Sequence, residues 1–192
     1  MMNQGKFLFI ALFIGFKAML LAQPHHLYVE WHHKDSMVEL GTYYGKKFKQ
    51  MPKVVVPIRQ LTPETIDLWL GNTVSDSNVL LYFHSMWGQE IHFHRRCLRG
   101  FEKITAGASQ TIISFVWHAG GLRYNRNWAC AADKGEPLGP LIDRITQVYG
   151  DRIDVLCHSM GNRLFEGTLR TIAPENHKEG LFQSVILFSA DL

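Results

Sequence analysis

An α/β fold around a mostly parallel central sheet is the class this sequence predicts, on three observations. Continuous apolar runs at 78–84 (NVLLYFH), 111–117 (TIISFVW), 152–158 (RIDVLCH) and 184–190 (SVILFSA) have the length and unbroken hydrophobicity of strands buried on both faces. Amphipathic segments at helical spacing lie between them. Strands alternating with helices form βαβ units, whose right-handed crossovers put every strand C-terminus on one rim, where open sheets of this class bind ligands.

The first residues, MMNQGKFLFIALFIGFKAMLLAQ, place Lys6 before an apolar run from Phe7 to Phe16, with small residues near Ala22. A basic start, a short apolar stretch and a small-residue site describe a secretory signal peptide over 1–22. The stretch is shorter than the roughly 18 apolar residues of a spanning helix, and no later segment has that character. A secreted or periplasmic protein with no stable membrane span after cleavage is the expectation.

Residues 23–77 read as the β-rich N-terminal part of the domain. Leu27 to Trp31 and Val54 to Ile58 are strand-like, and Thr-Pro-Glu at 62–64 opens a short helix through Leu70. The core occupies 78–192. Its helices are expected over Gln89 to Ile104, Pro137 to Tyr149 and Met160 to Ile172. A glycine-rich, aromatic loop is expected between Trp117 and Pro137.

The length of 192 residues, 46% of them hydrophobic, suits one buried core and therefore one domain. The formal charge of +3 includes Lys6 and Lys17 of the leader, so the mature chain has no basic balance to suggest nucleic acid. Cys97, Cys130 and Cys157 are odd in number and include no C-x-x-C spacing, so free thiols are expected rather than a disulfide framework or a zinc site. The histidine pairs 25–26 and 32–33 and His92 with His94 suggest no metal either, because i and i+2 on a helix do not share a face.

The string that carries chemistry is VLCHSMGNRLF at 155–165, where strand, serine, small turn residue and helix follow without a gap. A serine hydroxyl is a weak nucleophile, and it works when held exposed to a base and beside donors that receive an oxyanion. A sharp strand-to-helix turn does both. Serine is also a good helix N-cap, and that simpler role for Ser159 is the alternative to be decided. Earlier, LLYFHSMWG ends a strand in His84 and Ser85, and TIISFVWHAGG ends another in Trp117 and His118. His84, His118, Ser159 and Asp191 thus fall at or just past strand ends.

These motifs resemble the α/β-hydrolase superfamily, of the serine esterase or lipase type. VLCHSMG resembles its nucleophile elbow G-x-S-x-G, with Cys157 in place of the first glycine and Gly161 at the second. The segment ISFVWHAGGLRYNRNWA is similar to a bacterial branch of this fold long without an assigned function, in which F-x-W-P-S-x-G precedes a tyrosine; here Tyr124 follows. The resemblance covers roughly 78–192 and implies a three-layer sandwich that stops before the fold's last strands. It implies Ser159 as nucleophile, Asp191 as the triad acid, and the backbone N–H groups of Ser85 or Met86 and of Met160 as oxyanion donors. It also implies a small-molecule or lipid acyl substrate and no cofactor. His84 and His118 would line the site.

In this fold the order is Ser, then acid, then His, and only Leu192 follows Asp191. The base is therefore expected from a histidine beyond the present sequence, with the chain alone nearly inert. A non-catalytic binding or scaffolding protein of the same fold is the rival reading, and a downstream sequence without a histidine would favour it. Expression in a secreting host should yield a product beginning at Gln23. Intact mass checks this, and a retained leader would refute the cleavage site.

Overall fold

The computed structural model of the chain describes residues 26–44, 49–71, 78–85, 91–104, 110–117, 124–172 and 180–188. The predicted signal peptide lies outside them. Among the described residues seven strands form one sheet: β1 (His26–His32), β2 (Met37–Tyr44), β3 (Lys49–Pro57), β4 (Asn78–Phe83), β5 (Gln110–Trp117), β6 (Ile153–His158) and β7 (Ser184–Phe188). Their order is β3-β2-β1-β5-β4-β6-β7. The pairs β1–β5, β4–β5, β4–β6 and β6–β7 are parallel; β1–β2 and β2–β3 are antiparallel.

The helices are α1 (Pro63–Leu70), α2 (Ile91–Ile104), α3 (Tyr124–Gly135), α4 (Gly139–Tyr149) and α5 (Gly161–Leu169). Strand alternation sorts the sheet into two faces. Val79, Leu81 and Phe83, with Ile113, Phe115 and Trp117 and with Ile153, Val155 and Cys157, join residues of α1, α3, α4 and α5 in the main core. On the opposite face Leu98 of α2 packs on Ile112, with Leu80, Tyr43 and Phe101 around them. The result is three layers, helix on sheet on helix.

Several elements differ from expectation. The 27–31 run does not precede the sheet but lies inside it, because β1 runs parallel to β5 with Val29 opposite Phe115. Strand β2 was not anticipated, since Glu39 and Gly41 interrupt its apolar pattern; only Val38 and Leu40 face the core. Glu39 lies directly opposite Glu30, a pairing of like charges that costs stability. Neutral donors offset it: the Tyr28 hydroxyl donates to Glu39 at 2.5 Å and Gln50 Nε2 to Glu30 at 2.9 Å. Strand β3 begins at Lys49 rather than Val54, and Ile58 opens a single 3-10 turn.

The expected loop between Trp117 and Pro137 contains α3. Its polar residues, YNRNWACAADKG, conceal a narrow apolar side on which Ala131 is buried and Trp128 half-buried. Finally, β7 is described over Ser184–Phe188, with Val185, Ile186, Leu187 and Phe188 all exposed; residues 189 and 190 of the expected strand lie outside the described residues. Cys97 and Cys130 are half-buried and Cys157 is buried, all as free thiols.

Close backbone approach sets how α3 and α5 meet. A Cβ on Gly167 would lie 1.8 Å from the Ala132 carbonyl oxygen, a separation that no rotamer change relieves, because the obstructing atom is backbone. Gly100 on α2 is the contrast, with nothing within 4 Å of its hypothetical Cβ. Gly167→Ala should therefore destabilise the fold by about 1–3 kcal/mol through overpacking. Gly100→Ala should stabilise it by roughly 0.5–1 kcal/mol through helix propensity. Urea midpoints of the two variants measure both signs.

Candidate functional site

Strand progression reverses at β4. The connection through α2 carries the chain from β4 to β5 on one side, whereas the chain later enters β6 on the other side of β4. Segments leaving the C-terminal ends of β4 and β6 therefore depart toward opposite faces, to α2 and to α5. Doubly wound sheets place their ligands by such strand ends. His84 and Ser85 follow β4 there, and Ser159 follows β6.

Ser159 has a φ of 52°, one of two non-glycine residues with positive φ among those described. A left-handed backbone at a non-glycine residue costs of order 1–3 kcal/mol and persists only where the surroundings enforce it. They do so here from both sides. The Ser159 N–H donates to the Phe188 carbonyl of β7 at 2.9 Å. The Ser159 carbonyl accepts from the Asn162 N–H at 2.9 Å and from Asn162 Nδ2 at 2.6 Å.

The N-cap position of α5 is Met160, with no side-chain capping bond. Among the described residues Ser159 Oγ makes no hydrogen bond. The capping role considered for Ser159 is thus not the one its side chain performs. Among the described residues the hydroxyl has no partner, and the backbone that bears it is left-handed.

Gly161 explains the small residue after the serine. A Cβ there would sit 2.1 Å from the Phe83 carbonyl oxygen and 3.0 Å from that of His84. The first turn of α5 is therefore pressed against the end of β4, and Phe83 stacks on Phe115 at 4.3 Å while meeting Phe165 of α5 at 5.0 Å. Cys157, which replaces the first glycine of the elbow pattern, is fully buried in the main core. Burial pushes its thiol far above the ordinary range, so it packs as a small apolar residue and not as a reactive thiolate.

The end of β4 is fixed by two contacts. His84 Nδ1 lies 2.6 Å from the Ser85 carbonyl, and since a carbonyl only accepts, that nitrogen carries the proton. Trp117 Nε1 donates to the His84 carbonyl at 3.2 Å. The N–H groups of Ser85 and Met160, two of the expected oxyanion donors, are not engaged by any described residue. Met86, His118 and Asp191 lie outside the described residues. The elbow does bind the carbonyl of Phe188, shortly before Asp191.

Sequence reasoning missed Asn162. A polar amide in the first turn after the serine was its only signal. Beside it, an apolar groove of about 580 Å³ lies between α3, α5 and β7, lined by Trp128, Phe165, Leu169, Phe182, Val185 and Leu187. Among the described residues no group of three or more His, Cys, Asp or Glu side chains is placed to hold a metal ion, and no helix is long and apolar enough to cross a membrane.

His158 precedes the serine and lies against Phe188, ring centroids 5.5 Å apart. Burial holds its pKa below the ordinary value of 6.5. Between that lowered value and 6.5 the unfolded chain binds more protons than the folded one. The neutral imidazole's contribution to stability is thus complete above 6.5 and declines as pH falls through the window. Melting temperatures should drop as pH falls below about 6.5, and less steeply in His158→Asn; parallel curves for the two proteins would assign the effect elsewhere.

Among known proteins, the family model described as an alpha/beta hydrolase of unknown function, DUF900, matches residues 65–192. No curated protein and no solved structure matches the chain. The matched region holds the sheet from β4 to β7 and the turn at Ser159, and it covers more than half of the sequence: the chain belongs to this family of α/β hydrolases.

Proposed function

We propose that the protein is a serine hydrolase acting on a carboxylic ester or a related acyl substrate, with Ser159 as nucleophile. The observation that carries this reading is the left-handed backbone of Ser159 at a strand-to-helix junction, with its hydroxyl unbonded among the described residues. Ser36, the other serine with a positive φ, lies in an exposed hairpin turn, whereas Ser159 stands between the end of β6 and the start of α5, the junction from which a nucleophile projects in this fold.

In the proposed reaction Ser159 Oγ attacks the acyl carbon as a histidine takes its proton. The carbonyl π electrons move to oxygen, and the N–H groups of Met160 and of Ser85 or Met86 receive that charge beside the N-terminus of α5. Each such donor is worth about 3–4 kcal/mol of transition-state stabilisation in related sites. Collapse expels the alcohol, which takes the proton from the imidazolium. Water then repeats the sequence on the acyl-enzyme and restores Ser159.

Asp191 orients the histidine and stabilises its charged form without taking the proton. In the order of this fold the base follows the acid, so it belongs downstream of Asp191; His84, fully buried with Nδ1 committed to the Ser85 carbonyl, lines the site instead. The mechanism asks for no cofactor. We further propose that the protein acts outside the cytoplasm, on the strength of the basic start and short apolar stretch of residues 1–22.

Full-length protein should be labelled by a fluorophosphonate at a single peptide containing Ser159, and Ser159→Ala should abolish the labelling. Undiminished labelling of the variant would remove Ser159 from the reaction.

A further inference from the structure

We propose that Asn162 is a positioning residue of the elbow, whose side-chain amide holds Ser159 in its left-handed conformation and ties the turn to the end of β7. This rests on the reading of Ser159 as nucleophile for its functional meaning, but not for its structural content. Asn162 Nδ2 donates to the Ser159 carbonyl at 2.6 Å and lies 3.5 Å from the Phe188 carbonyl. The latter already accepts the Ser159 N–H. One amide thus spans the two carbonyls that flank the serine.

The orientation of that amide follows from its neighbours. Both are acceptors only, so the nitrogen and not the oxygen must face them. Oδ1 is buried without a partner among the described residues, an arrangement that costs free energy and is kept only where the nitrogen's contacts outweigh it. An asparagine on the first turn of an ordinary surface helix would instead turn both ends of its amide to water.

Reach explains the residue type. Side chains on a helix lean toward its N-terminus, so a short amide in the first turn meets the carbonyl of Ser159, the residue before the N-cap. Alanine offers no donor there, and aspartate would set a carboxylate against two carbonyl oxygens. With Met160 providing no side-chain cap, Asn162 is the side chain that secures this end of α5. The position of Ser159 Oγ depends on the backbone angles so fixed, and a displacement near 1 Å is enough to cost about a hundredfold in rate.

A double-mutant cycle on the full chain tests the conformational role without requiring activity. Glycine adopts positive φ without strain, so Ser159→Gly removes the need for the clamp. Asn162→Ala should lower the melting temperature more when Ser159 is intact than in the Ser159→Gly background, by about 2–4 °C for a chain of this size. Equal shifts in the two backgrounds would overturn the inference. Should Asn162→Ala fold in neither, Asn162→Gln, which keeps the donor on a longer arm, enters the same cycle with the same criterion.

Fluorophosphonate labelling of the full-length protein supplies the functional arm. Asn162→Ala and Asn162→Asp should slow labelling of Ser159 by about 10- to 100-fold at temperatures where both variants remain folded. An unchanged rate, where Ser159→Ala abolishes labelling, would overturn the positioning role. Failure of the unmodified protein to label would instead count against Ser159 as nucleophile, and the melting cycle would still decide the clamp.

Discussion

The rest of the site depends on a single backbone constraint, the left-handed turn at Ser159. A strand that ended in ordinary extended geometry would pass its serine into the sheet edge. The positive φ lifts the residue out and lets α5 begin at once. That turn closes only because three things coincide: the Phe188 carbonyl accepts the serine N–H, Asn162 binds the serine carbonyl, and Gly161 lets the helix come against Phe83. None of these contacts is strong alone. Together they enforce a conformation that costs of order 1–3 kcal/mol.

The same constraint explains how the domain is layered around the elbow. With α5 pressed onto β4, its outer side must accept α3, and the Gly167–Ala132 contact brings those two backbones together. Arg170 beyond α5 then lies within 4 Å of carboxylates on Asp133, Glu136 and Glu166; these exposed pairs add little energy individually. A second tie, the two-pronged Arg144–Asp67 pair at 2.8 and 2.6 Å, joins α4 to α1. The sheet's two ends differ in character. Strand β3 carries Lys49, Pro52, Lys53 and Pro57, residues that discourage edge pairing, whereas β7 exposes SVILF without charge or proline.

Much of the fold was legible because burial on both faces leaves an unmistakable pattern. NVLLYF, TIISFVW and IDVLC could hardly be anything but central strands. The elements that escaped were those whose signals are weak by nature. Strand β2 faces the core with only Val38 and Leu40, and α3 covers its neighbours with small residues such as Ala131 and a single large one, Trp128. Burial by small residues leaves almost no hydrophobic periodicity to read. The run SVILF was equally legible as a parallel strand and forms β7 beside β6.

By itself the sequence determined the fold class and the place of Ser159 at a strand-to-helix junction, because those depend on local order along the chain: strand, serine, glycine, helix. It could not determine that β1 lies within the sheet, that Cys157 serves as inert packing, or that Asn162 clamps the turn. These depend on what lies across from a residue, and contacts such as Ser159 to Phe188 or Gly161 to Phe83 join positions far apart in the chain. Only the folded backbone, by bringing the ends of β4, β6 and β7 together, turns a suggestive string of residues into a turn that presents a hydroxyl.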